Sequence, residues 1–291
     1  MLELLLEPFS YNYMFKAIAL SGVIGAVCAC LSAYLMLKSW SLIGDALSHA
    51  VVPGVALAYA FSLPYAVGAF FAGFLASIAI LAVKSVTKLR EDAVIGFIFS
   101  SFFALGLLII SANPTSVNVE SIIFGNILGI ADEDLLQVAL VMGITVLLLL
   151  MYWKDLLLVF FDEVQAKAVG ISPLKLRILF FSLLSACIVS ALQSVGAILV
   201  IAMVVTPGAT AYLLTDRFGR LLILSALIGG ITSFIGAYFS YFADGATGGF
   251  IVSLQTFVFL LAFLFAPKYG LLPRKFAKNS LKATACREEQ R

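Results

Sequence analysis

The chain has 291 residues, of which 63% are apolar and 12% charged, with a formal net charge of +2. Soluble domains carry about 25% charged residues and at most about 50% apolar ones, so this composition cannot cover a globular surface in water. The low net charge excludes a nucleic-acid binder, and the apolar excess excludes an intrinsically disordered chain. Cys28, Cys30, Cys187 and Cys286 have neither metal-finger spacing nor a disulfide pattern; the first three sit in apolar stretches, where cysteine acts as a small apolar residue. A polytopic membrane protein remains, and about 30 residues per span and connection allow eight to ten helices.

The N-terminus carries Glu3 and Glu7 and no basic residue before Lys16, unlike a secretory signal. Apolar runs of about 20 residues predict spanning helices. They occur at 13–37, 41–60, 64–83, 93–112, 134–153, 173–192, 194–214, 219–241 and 249–266. The apolar stretch 121–131 is half a span long and reads as a short outer helix or a re-entrant piece. The seventh span follows the sixth at Gln193–Ser194 with almost no loop. Every basic residue except Lys16 falls after an odd-numbered span, whereas the other loops hold Glu120, Asp132, Glu133 and Asp244. Lys and Arg stay on the cytoplasmic side. The expectation is an all-α transmembrane helix bundle of about nine spans, with its N-terminus outside and its C-terminus inside. Residues 1–273 form the membrane domain and 274–291 a basic cytoplasmic tail, expected to be disordered. Gly22 and Ala26, Ala69 and Gly73, and Ser225 and Gly229 are spaced for close helix packing, most simply within one chain.

The second span, SLIGDALSHAVVPGVALAY, holds Asp45 and His49, the latter the only histidine in the chain. Four-residue spacing puts both on one helix face, about 6 Å apart along the axis. An ionisable residue in a bilayer faces a cavity and a partner, because exposure to lipid costs a few kcal/mol. Carboxylate oxygen with imidazole nitrogen suits Mn²⁺, Fe²⁺ or Zn²⁺. A structural pair capping the helix, or a proton relay, would use the same residues, and Ser48 serves either reading. Pro53–Gly54 and Pro207–Gly208 are helix breaks that line a polar path or simply kink the packing. There is no GxxxxGK[ST] loop to cradle ATP, no HExxH and no GxSxG, so the chain is not expected to be an enzyme by itself.

Between the fifth and sixth spans lies FDEVQAKAVGISPLKLR, residues 161–177. Asp162 or Glu163 can start a helix, Gly170 can end it, and Pro173 forces a restart. A short helix follows that contains Ala166, either as a solvated connection or as a docking element for a cytoplasmic partner.

DALSHAVVPGVALAY at 45–59 resembles a signature of the ABC-transporter permease family that imports manganese, zinc and iron in bacteria. VGAILVIAMVVTPGATAYLLTDR at 195–217 resembles its second signature, and FDEVQAKAVGI at 161–171 is similar to its coupling segment. IIFGNILGI at 122–130 and QTFVFLLAFLFAPKYGLL at 255–272 are similar to it as well. The resemblance spans residues 12–273. It implies a permease chain in the bacterial cytoplasmic membrane that dimerises with a second permease chain. Two ATP-binding subunits would bind it from the cytoplasm, and an extracytoplasmic solute-binding protein would deliver the metal. It implies Asp45 and His49 as the metal-contacting pair, no cofactor on the chain itself, and ATP on the partner subunit. A proton-coupled secondary transporter and an intramembrane enzyme are the alternative functions.

Overall fold

The computed structural model describes residues 7–38, 40–112, 132–266 and 270. The segment 121–131, Glu120 and the tail 274–291 lie outside the described residues. Within those residues the chain is a succession of helices: α1 Asn12–Leu37, α2 Leu42–Ala50, α3 Val52–Ala60, α4 Tyr65–Val86, α5 Glu91–Ala112 and α6 Asp132–Phe161. Then follow α7 Glu163–Ala168, α8 Pro173–Val195, α9 Ala197–Leu214, α10 Phe218–Phe242 and α11 Thr247–Phe265. Among the described residues, eight segments are long and apolar enough to cross a bilayer, with α2 and α3 together forming one, Leu42–Ala60. The remaining expected span is α9, with 18 residues, about 27 Å long against a hydrocarbon core of about 30 Å.

Three differences from the hydropathy reading bear on packing. The fifth span was expected to end at 153, but α6 continues to Phe161. Its last turns bury Leu156, Val159 and Phe160 against protein, so tertiary packing extends the helix past the polar Lys154 and Asp155. The junction expected at Gln193–Ser194 lies at Gly196, whose φ of 82° ends α8 and starts α9 within one residue. A side chain would strain that backbone, and glycine does not. The break expected at Pro207 is not a break, because α9 runs through it. Proline there removes one backbone donor. The neighbouring carbonyl of Val205 accepts from Ser32 Oγ of α1 at 3.3 Å.

Helices α1 and α8 form the centre, with 72% of the most apolar stretch of each buried, against 17–28% for α4, α5, α6 and α11. The outer helices turn Phe71, Leu75, Leu108, Leu147, Leu150 and Leu260 outward, as a lipid-facing surface requires. Lipid tails are as apolar as leucine, so helices associate there by close packing rather than by apolar burial. The seam between α1 and α10 shows how. A Cβ on Gly25 would lie 2.6 Å from the Gly229 carbonyl oxygen, and one on Gly229 would lie 2.5 Å from that of Gly25. One turn away, Ser225 Oγ donates to the Ala29 carbonyl at 2.6 Å. Gly22 and Ala26 meet Gly230 and Phe234 across the same seam, and Gly73 meets Ser185 of α8. The small-residue pairs therefore serve packing within the chain. Replacing Gly229 by Val should cost about 1–3 kcal/mol through overpacking. It should lower the melting temperature of the detergent-solubilised protein by several degrees. Gly143→Ala, where a Cβ meets nothing within 4 Å, should leave it unchanged or raise it.

Candidate functional site

Helix α2 ends at Ala50, and α3 resumes at Val52 with Pro53 in its first turn. Proline is tolerated there because the first-turn N–H groups have no intrahelical acceptor. Val51 keeps helical angles, φ −75° and ψ −17°, so the interruption is a kink in a single span. The kink is wedged by glycines. A Cβ on Gly54 would lie 2.1 Å from the Gly68 carbonyl oxygen of α4, and one on Gly106 of α5 would lie 2.9 Å from the Pro53 nitrogen.

Asp45 and His49 sit one turn apart on α2, upstream of this kink. His49 Nε2 stands 3.6 Å from Asp45 Oδ1, and the two side chains remain 35% and 44% exposed, respectively. That separation is longer than a hydrogen bond. Phe99 and Phe103 of α5 hold the imidazole from the side, with ring centroids at 5.5 and 5.7 Å. A neighbouring side of α2 is closed: a Cβ on Gly44 would lie 2.8 Å from Val204 of α9. Close approach of α9 there turns the acid–histidine face outward. Among the described residues no group of three or more His, Cys, Asp or Glu side chains could hold a metal ion. This face therefore offers two donors, one oxygen and one nitrogen, on the outer surface of a single chain.

The other path candidates are buried. Ser48 is buried and donates to the Gly44 carbonyl at 2.8 Å, which occupies its hydroxyl proton within the helix. Pro53, Gly54, Pro207 and Gly208 are buried. A Cβ on Gly208 would lie 2.2 Å from Ser32 Oγ. Pro53, Gly54 and Gly208 thus sit at close contacts between helices.

The segment after α6 folds as a capped helix. Asp162 Oδ1 accepts from the backbone N–H groups of Val164 and Gln165 at 2.9 and 3.0 Å, a side-chain N-cap. Gly170 takes φ +87°, and the Ile171 N–H returns to the Ala166 carbonyl at 3.0 Å, which closes the C-terminus with the left-handed residue that glycine favours. Glu163 Oε2 accepts from Arg177 of α8 at 2.6 Å, and its other oxygen lies 3.7 Å from Lys167 Nζ. Ala166 is fully buried, whereas Val164 and Val169 are exposed. Ala166 thus anchors the helix to its own chain, and the free face carries Val164, Lys167 and Val169. Sequence reasoning did not single out Phe99, Phe103 or Arg177. Phe99 and Phe103 share a helix face at four-residue spacing, but only the packing of α5 on α2 brings that face to His49.

The family model described as the ABC 3 transport family matches residues 10–266. The "Probable iron transport system membrane protein" of Haemophilus influenzae is 71% identical over 94% of this chain and 97% of its own length. The "Manganese transport system membrane protein MntB" of Synechocystis is 48% identical over 95% of this chain and 90% of its own. The solved structure of PsaBC from Streptococcus pneumoniae in complex with Fab covers 94% of this chain and 100% of the compared chain. Its TM-score is 0.82 at 36% identity. The chain is a multi-pass membrane protein that belongs to the ABC 3 transport family.

Proposed function

We propose that the chain is the permease subunit of an ATP-driven importer of divalent transition metal ions in the bacterial cytoplasmic membrane, with iron or manganese as cargo and zinc in the same ligand class. The observation that carries this reading is the outward-facing Asp45–His49 pair inside a spanning helix. The names of the iron and manganese relatives support it. Two ligands on one metal with bonds of about 2.1 Å stand about 3.4 Å apart at a tetrahedral angle. The observed 3.6 Å is close to that spacing. Two donors are too few for a tight site, since these metals take four to six ligands. A second permease chain facing the first would supply a second carboxylate and a second imidazole, with water completing the shell. Weak, shared ligation lets the ion enter and leave. ATP is bound and hydrolysed by separate cytoplasmic subunits, and an extracytoplasmic solute-binding protein delivers the metal. The distribution of basic residues supports an orientation with α7 on the cytoplasmic side.

Uptake of radioactive manganese and iron by cells carrying the full transporter tests the pair. Asp45→Ala and His49→Ala should each reduce uptake to background while the complex still assembles in the membrane. Asp45→Asn should be as damaging, because an amide does not offset the charge of the cation. Normal uptake by an assembled Asp45→Asn complex would mean that the carboxylate is structural.

Helix α7 is proposed to dock on the ATP-binding subunit through its exposed face. Val164→Asp should abolish co-purification of that subunit without destabilising the permease, because Val164 is exposed. Asp162→Ala should weaken co-purification by removing a cap worth about 1 kcal/mol. Full co-purification in both variants would place the docking surface elsewhere.

A further inference from the structure

Trp40 lies in the link between α1 and α2, five residues before Asp45, and is 7% exposed. Its indole N–H donates to Glu91 Oε2 at the start of α5. The other oxygen of Glu91 lies 3.3 Å from Lys84 Nζ in the last turns of α4. Lys84 also donates to the Leu89 carbonyl at 3.3 Å, closing the α4–α5 turn. A buried indole N–H needs an acceptor, and an ionised acceptor makes the stronger bond. The carboxylate therefore fastens the entry of the Asp45–His49 helix to the α4–α5 turn.

The indole ring makes a second set of contacts. It stacks on Phe181 of α8, with centroids 5.6 Å apart and planes inclined by 26°. It also meets Phe160 of α6 edge-on at 5.6 Å. Phe160 lies two residues before Asp162, the cap of α7. Phe181 lies one turn beyond Arg177, which holds Glu163 of α7. One side chain thus touches both helices that flank the proposed docking helix and the turn that fastens the metal-bearing helix. A small cleft bordered by Trp40, Ile43, Ile80 and Ile95 lies beside the joint.

We infer that Trp40, with Glu91 as its anchor, is the joint that transmits movement of α7 to the Asp45–His49 helix, and so links ATP hydrolysis to metal passage. Trp40 and Glu91 act as positioning residues that touch no metal. The inference rests on the permease reading above. A joint of this kind needs discrete positions of packed side chains that both ends bias. The carboxylate–indole bond supplies one such position, and the stacked rings give rigid contact towards α7.

The test uses the complete transporter, with permease, ATP-binding subunit and solute-binding protein, reconstituted in liposomes. It reads ATP hydrolysed per Mn²⁺ ion taken up. Trp40→Phe keeps a ring against Phe160 and Phe181 but deletes the N–H. Glu91→Gln keeps an acceptor for the indole but removes the charge facing Lys84. Trp40→Phe should assemble and consume about five- to tenfold more ATP per ion, with Glu91→Gln shifted in the same direction by less. If Trp40→Phe fails to assemble, the ratio in Glu91→Gln decides alone. An unchanged ratio, with uptake falling only in step with the amount of assembled complex, overturns the joint and leaves Trp40 a packing residue. Asp45→Asn separates the two readings. Uptake lost in Asp45→Asn with an unchanged ratio in Trp40→Phe and Glu91→Gln removes the joint alone, whereas normal uptake in Asp45→Asn removes the metal-path reading on which it rests.

Discussion

A carboxylate and an imidazole inside a spanning helix cannot face hydrocarbon, and the rest of the molecule accommodates that constraint. On one chain Asp45 and His49 are more than a third exposed, and the cost of placing such groups against lipid is a few kcal/mol. Their face must therefore meet a polar surface supplied by something else. A second permease chain is the simplest source, because it brings the same two groups and doubles the donors without any new side chain. In the proposed reading, a weak half-site and the need for a partner are consequences of the same geometry.

The packing around α2 keeps that face open. Gly44 lets α9 approach one side of the helix, and Gly54, Gly68 and Gly106 let α4 and α5 close on the kink. In lipid, where apolar burial gives helices no preference for one another, such close backbone contacts are the main source of cohesion. Phe99 and Phe103 then fill the space beside His49 and limit the positions its ring can take. The aromatic cluster at the end of the bundle that carries α7 has a different role. Tyr34, Phe160, Phe180, Phe181 and Trp40 are in ring contact there. That cluster joins the ends of α1 and α6, the link before α2 and the early turns of α8, near where α7 leaves the bundle.

Much of this was legible in the sequence, because the bilayer imposes a strong length rule. Long apolar runs gave the spans, and Asp162, Gly170 and Pro173 gave α7 with its cap and stop, since each acts through local backbone geometry. What hydropathy could not show is set by tertiary contact. It placed the end of α6 at the polar Lys154 and Asp155, although Leu156 and Phe160 find protein partners beyond them. It treated Pro207 as a break, although α9 passes through it with Ser32 donating to the nearby Val205 carbonyl. Asp45 and His49 stood out as charged residues in an apolar run. Ser48, on the same short motif, carried no sign that its hydroxyl is spent on the Gly44 carbonyl. Ala166 gave no indication in sequence of whether it faced a partner or its own core.

The central claim is that His49 ligates the passing metal. His49 is the only histidine in the chain, so pulsed electron paramagnetic resonance on Mn²⁺ bound to purified permease free of histidine tags reads it directly. The account predicts coupling of the manganese to imidazole nitrogen that disappears in His49→Ala. Bound manganese without nitrogen coupling, or with coupling unchanged in His49→Ala, would contradict it.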